Sequence, residues 1–342
     1  MPNIGEAELK AQLKNSDFSN AYMIYGEEGY LKEFYVNKLT EKLVDSAFAD
    51  FNLHRHETNN SSLDDILMDC SMLPMMSEHS LTVAHDFPFD GKKDSEKLEE
   101  FFKDMPEGSV LVFWFDSLEV NPKESKWGKL IKLFSKYGSA VNLQKRSEAE
   151  LVKLVIKSAK KRDCVIDGVN ARYLINAVGA DIQNLFSELE KICSCVNGAE
   201  ITKKDIDELA VKSLQARVYD LSKNTLKGNS NGAYSVLNAL FYQKEEPIPI
   251  LAVLSSCYID MYRAKCAKQA DVALSNVVKE FNYGNRDFAV KNAARDSANM
   301  SLETLRACLD VLSEADEKMK STAINPNIVL EETVAKLLTM RY

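Results

Sequence analysis

Two kinds of hydrophobic pattern alternate along the first 145 residues. Short, nearly continuous apolar runs at 21–25, 51–56, 80–84, 110–115 and 140–143 are separated by stretches of helical spacing, such as 31–44 and 63–70. Short apolar runs bounded by turn residues read as buried strands, and apolar residues three and four apart read as helix. Strands that alternate with helices imply a largely parallel sheet covered on both faces. The run from Val110 to Phe115 is wholly apolar, as a central strand requires.

After Gln144 the strand signals stop. Ser147 with Glu150 makes a capping-box sequence, and Leu151, Leu154, Val155 and Ser158 follow at helical spacing. Asp167 suits the N-cap of a second helix that ends at Gly179, and Asp181 suits that of a third. The third carries the cleanest stripe in the chain: Ile182, Leu185, Phe186, Leu189, Ile192, Cys193 and Val196, stopped by Asn197 and Gly198. Thr202 and Asp205 start a short fourth helix bearing Ile206, Leu209 and Ala210. From about Lys212 the pattern stays helical, with breaks at 228–232 and at Glu246–Pro247. Leu302, Leu305, Leu309, Leu312 and Met319 form one apolar face, and Pro326 fits the first turn of a last helix. These signals divide the chain into an α/β domain over 1–145 and two helical ones over 146–211 and 212–342.

Composition narrows the function classes. Only 13 Gly and 8 Pro in 342 residues fit a helix-rich fold. The net charge of −8 is opposite to the basic surplus of a free-standing nucleic-acid binder. Any DNA contact is therefore expected to be local or shared with a partner. The basic clusters Lys157, Lys160, Lys161, Arg162 and Lys203, Lys204 read as solvated helix ends. Seven cysteines, an odd number with no C-x-x-C spacing, and the lack of a signal peptide point to a reducing cytoplasm. No apolar run approaches the ~18 residues of a membrane span.

Catalytic chemistry is missing where this architecture would put it. The first strand runs into Gly26, Glu27, Glu28 and Gly29, and then into a helix. A working phosphate loop at that position needs G-x-x-x-x-G-K-[ST], so that backbone N–H groups, a lysine and a hydroxyl hold the triphosphate and its Mg²⁺. The chain has no such match, and Glu27 and Glu28 would repel a triphosphate. Lys32 stands in the helix without the flanking Gly and Ser/Thr. Asp116 ends the central strand but is followed by Ser117 rather than a second acid, and reads as the start of a turn or a cap. His54 and His56 share one face of an expected strand, without the further ligands a metal site needs. No catalytic, cofactor-binding or metal-ligating set is expected.

The connection after the helix at 63–70 is unusual. Met72, Leu73, Met75 and Met76 surround Pro74, which ends the helix at or before Leu73. The residues alone favour Met75 and Met76 as fillers of core gaps. They leave open an exposed binding knob, since connections run over the surface.

Several stretches, in their order and spacing, resemble the clamp-loader branch of the AAA+ proteins, and within it the bacterial DNA polymerase III delta-subunit family. They are YMIYGEEGYL at 22–31, LPMMSEHSLTV at 73–83, SEAEL at 147–151, VGADIQNL at 178–185 followed by Glu188, Leu189 and Glu190, and ITKKDI at 201–206. The resemblance implies a RecA-like α/β AAA+ domain, a helical lid and a helical collar that assembles with other subunits. It implies a phosphate loop lost at Gly26, Glu27, Glu28 and Gly29, with no cofactor and no intrinsic catalysis. It further implies a cytoplasmic subunit of the DNA polymerase III holoenzyme that binds the beta sliding clamp and holds its ring open. The expected partners are that clamp, the ATP-hydrolysing tau/gamma subunits, the delta prime subunit and, through the complex, primer-template DNA. Carried over by position, the clamp-binding residues are Leu73, Pro74, Met75 and Met76, with Met75 the principal anchor; relatives more often have Phe or Leu there. Two alternatives stand beside this reading: a nucleotide-dependent AAA+ ATPase, and a helical adaptor outside replication.

Overall fold

The computed structural model describes residues 4–58, 61–284 and 287–340. The first three and last two residues of the expected domains lie outside the described residues. The chain forms two compact units that meet in sequence at Arg146 and Ser147.

The first unit is built in the order α1 (Glu6–Asn15), β1 (Ala21–Tyr25), α2 (Gly29–Leu43), a 3-10 turn (Ser46–Phe48), α3 (Ala49–Asn52), β2 (Leu53–His56), α4 (Leu63–Cys70), β3 (Ser80–His85), α5 (Gly91–Lys103), β4 (Ser109–Trp114), α6 (Ser125–Tyr137) and β5 (Ser139–Asn142). All the strand pairings are parallel and the order is β2-β3-β4-β1-β5. This is the α/β class with a parallel sheet that the patterning implies, and it agrees with the RecA-like domain that the resemblance implies. β1 lies between β4 and β5, with Met23 opposite Phe113 on one side and Ala140 on the other. All five of its residues are buried.

Alternate residues of β1 serve opposite faces. Ala21, Met23 and Tyr25 join a core with Leu111, Phe113, Ile66, Leu98, Leu130 and Phe134, under α4, α5 and α6. Tyr22 points the other way and donates to Gln12 Oε1 of α1 at 3.3 Å. Glu6 of α1 ties that side together: it accepts from Tyr35 Oη of α2 and from Arg146 Nη2, both at 2.7 Å.

The expected strand at 51–56 is shorter at its start. Asp45 caps the 3-10 turn by accepting from Ala47 N–H, and the helical path continues through α3 to Asn52. Phe51 is therefore exposed on a helix, and only Leu53–His56 pairs with β3. β2 is an edge strand with partly exposed polar side chains, one of the devices that discourage further pairing.

The second unit is helical apart from a parallel bridge between Val165 and Glu200. It opens with α7 (Glu148–Lys160), α8 (Gly168–Val178), α9 (Ile182–Val196) and α10 (Lys203–Leu209). Ser147, Asp167, Asp181 and Thr202 each accept from the N–H three residues on, which are the caps the spacing predicts. α11 (Leu214–Leu226), α12 (Ser230–Tyr242), α13 (Pro247–Gln269), α14 (Leu274–Glu280), α15 (Asp287–Asp296), α16 (Leu302–Ser321) and α17 (Pro326–Thr339) follow. These last seven share a core that includes Leu221, Leu237, Leu254, Met261, Leu305, Leu312 and Leu330. Inside it Thr225 and Tyr258 share a hydrogen bond of 2.9 Å between their hydroxyls. The break expected at 228–232 is narrower: Asn229 caps α12 by accepting from Gly232 N–H at 3.1 Å, so Gly232 sits in the first turn. Among the described residues no helix is long and apolar enough to cross a membrane.

Candidate functional site

A parallel sheet gathers the carboxyl ends of its strands at one edge, where open α/β folds bind their ligands. Here that edge is occupied by the protein itself. The turn after β1 is pressed against the end of β5. A Cβ on Gly26, whose φ is +125°, would lie 2.3 Å from the Leu143 carbonyl oxygen, and that same oxygen accepts from Glu28 N–H at 3.1 Å. Lys32 is buried and turns back on the loop: its Nζ donates to Gly26 O at 2.9 Å and stands 3.4 Å from Asp116 Oδ1. The lysine thus meets a carbonyl and a carboxylate of its own chain, where a phosphate site would leave it free for a phosphate oxygen. Asp116 does begin a turn, and its carboxylate also faces Lys32, a pairing that spacing does not reveal. The two glutamates part ways. Glu27 is exposed, whereas Glu28 is buried at the N-cap of α2, so the repulsion expected of both falls to Glu27.

Asp86, just past β3, ties down the backbone that follows β4, beside an open cleft lined by Glu57, Thr58, His85, Ser117 and Leu118. Its buried carboxylate accepts from the N–H groups of Asp116, Ser117 and Leu118 at 2.8, 2.9 and 3.2 Å. Burial alone would raise its pKa, but the three N–H donors and nearby His85 outweigh that and hold it below the ordinary aspartate value. His85 stacks on Trp114 with ring centroids 3.9 Å apart and lies 2.9 Å from Glu57 Oε2.

The opposite edge, where chains enter the strands, carries a different surface. The connection from α4 to β3 exposes large apolar side chains: Leu73 is 74% exposed, Met75 52% and Met76 80%, while Pro74 is half-buried. Side chains filling core gaps would be covered, so the reading of Met75 and Met76 as core fillers fails. Met72 and, on the outer face of α4, Met68 are exposed as well. Met68 does not stand out in the sequence, where it falls in an amphipathic helix.

Backbone groups of this loop are hydrogen-bonded to side chains outside it. Met75 N–H donates to Asn52 Oδ1 at 2.7 Å, and Met75 O accepts from Asn52 Nδ2 at 2.9 Å. Met72 O accepts from the hydroxyls of Ser80 and Ser109 at 3.4 and 3.5 Å. Pro74 and Glu78 lie over Gly108, where a Cβ would come within 3.0 Å of Pro74 Cγ and 2.7 Å of the Glu78 carbonyl oxygen. Met76 takes a left-handed conformation with φ +52°, uncommon for any residue but glycine.

The remaining polar candidates are packed or solvated. His54 Nδ1 and His56 Nε2 both approach Asp69 Oδ2 of α4, at 3.9 and 2.9 Å, and His56 Nδ1 meets Ser61 Oγ at 2.7 Å. Among the described residues no group of three or more His, Cys, Asp or Glu side chains is placed to hold a metal ion. Cys70, Cys164, Cys193 and Cys308 are buried. Burial pushes the Cys70 and Cys193 thiols up to about 12, with the Cys164 thiol adding to the effect at Cys193. They act as small apolar side chains.

Comparison with known proteins gives a consistent result at both ends of the chain. The family model described as DNA polymerase III, delta subunit, matches residues 22–144, and that of the delta subunit's C-terminal domain matches residues 215–337. DNA polymerase III subunit delta of Bacillus subtilis (strain 168) is 25% identical over 335 residues, 95% of each chain. The probable DNA polymerase III subunit delta of Aquifex aeolicus (strain VF5) is 21% identical over 299 residues, covering 83% of this chain and 84% of its own. The solved structure of the Bacillus subtilis DNA clamp loader delta protein superposes with a TM-score of 0.62 at 22% identity, covering 97% of this chain and 99% of that one.

Two outcomes are expected from this edge. Calorimetric titration of the chain with Mg-ATP leaves the baseline heat unchanged, because Lys32 and the turn are already satisfied internally; micromolar binding that Lys32→Ala removes would contradict this. Replacing Asp86 by Asn leaves buried N–H donors short of an acceptor and costs about 1–3 kcal/mol at neutral pH. A lowered folded pKa means a contribution that is full above the ordinary aspartate value of about 3.9 and is lost as pH falls through the lower folded value. Urea unfolding across pH therefore shows a constant gap between the wild type and Asp86→Asn down to about pH 4 that closes below it. A gap that widens on acidification would be the opposite result.

Proposed function

The chain belongs to the DNA polymerase III delta-subunit family, and from that premise we propose that it binds the ring-shaped beta sliding clamp through the loop around Met75 and holds the ring open for loading onto primed DNA. The observation that carries this reading is the exposed apolar loop Met72, Leu73, Met75 and Met76, hydrogen-bonded to Asn52 at Met75. A ring that must be gripped at one face calls for a projecting apolar group that enters a pocket. Leu73, Pro74, Met75 and Met76 supply it, and Met75 is its principal anchor. A flexible, polarizable methionine adapts its shape to a pocket more readily than a phenylalanine does.

The closed phosphate-loop edge supports a division of labour. Energy comes from ATP-hydrolysing subunits of the tau/gamma type, a delta prime subunit completes the loader, and primer-template DNA is met through the assembled complex in the cytoplasm. We assign residues 146–211 to a lid and 212–342 to a collar that joins these neighbours. The core shared by α11 to α17 supports that assignment.

Clamp affinity and thermal stability, measured together, test the role of Met75. Burying a methionine in a central pocket contributes enough that Met75→Ala costs ~2 kcal/mol or more of binding, about thirtyfold in affinity. Met75→Asp weakens it further, since a carboxylate would have to be desolvated in an apolar pocket. The melting temperature stays nearly unchanged in both variants, because the side chain is exposed in the free protein. Wild-type affinity in a well-folded Met75→Asp protein removes Met75 from the site.

A further inference from the structure

Asn52 is fully buried at the end of α3, 23 residues before Met75. Its carboxamide is almost wholly occupied. Nδ2 donates to Phe48 O at 3.2 Å and to Met75 O at 2.9 Å, and Oδ1 accepts from Met75 N–H at 2.7 Å. A single side chain thus satisfies both backbone groups of one loop residue, as a neighbouring strand would, and ties that residue to α3. Met75 occupies the middle of the loop and Met76 follows in its left-handed conformation. The backbone direction at Met75 decides where the side chains of Leu73, Met75 and Met76 project.

We infer that Asn52 is a positioning residue for partner binding: it fixes the loop backbone at Met75 before the partner arrives. This rests on the reading that the loop around Met75 is the clamp-binding element. An apolar loop that must order itself on binding gives up affinity to conformational entropy, and a preset one does not. Ordering one residue's backbone corresponds to about a tenfold change in an equilibrium constant. Asn52 touches no partner in this account and acts only through Met75.

The test uses the full-length chain, its Met75→Asp and Asn52→Ala variants, and a peptide of residues 71–79, each titrated against the sliding clamp from the same genome. Temperature is held well below each variant's melting point. Asn52→Ala is expected to bind at least about tenfold more weakly than wild type while folded. Its affinity moves toward that of the free peptide, and its Met75 amide exchanges faster with solvent. A residue that only supports stability would lower the melting temperature and leave the affinity of the folded protein and the Met75 exchange unchanged. That result overturns the inference, as does wild-type clamp affinity in folded Asn52→Ala when Met75→Asp has lost binding. Failure of the wild type itself to bind the clamp removes the underlying reading instead, and the inference with it. Should Asn52→Ala not fold, the Met75 amide of the wild type decides. Exchange slowed by at least about tenfold relative to the peptide supports the presetting, and exchange at the peptide's rate overturns it.

Discussion

All five strands of the sheet run in one direction, and that constraint sorts everything else in the first unit. Every connection leaving a strand lies at one edge of the sheet, and every connection arriving lies at the other. The edge of departure is where folds of this kind hold nucleotides. In this chain Lys32 is spent on Gly26 and Asp116, and Asp86 gathers three backbone N–H groups. The edge of arrival carries the loop between α4 and β3, which offers apolar side chains in place of polar chemistry. A fold that could bind a small anion at one edge is stabilised there by its own charges and exposes large apolar side chains at the other.

An exposed group of methionines and a leucine is a liability unless something covers it. The loop's construction limits that liability. Asn52 holds Met75 from below, Ser80 and Ser109 hold Met72, and Pro74 rests over Gly108. The result is a short, hydrogen-bonded projection, unlike a long edge strand that could recruit other chains. The apolar area is displayed while its backbone stays satisfied.

Much of the fold was legible in the amino-acid pattern because its signals are local. The strand runs, the caps at Ser147, Asp167, Asp181 and Thr202, and Pro326 at the start of the last helix all depend on residues within a turn or two. The functional edges depend on contacts between distant positions. Lys32 meets Asp116, Asp86 meets the turn at 116–118, and Asn52 meets Met75, and no spacing announces such pairs. Asn52 was further hidden because the stretch 51–56 reads as strand, whereas Asp45 starts a helical path that carries through it. A run of methionines beside a proline also reads as core filler until its exposure is seen. It was the resemblance to a family, more than the chemistry of the residues, that marked the loop in the sequence.

The central claim is that this loop, already in shape, is what enters the clamp, and methionine methyl signals report on it directly. With methyl-labelled methionines in the full-length chain, addition of the cognate clamp should shift or broaden the signals of Met72, Met75 and Met76. Met23, buried in β1, should keep its position. A complex that forms with the loop methyls unmoved would contradict the account.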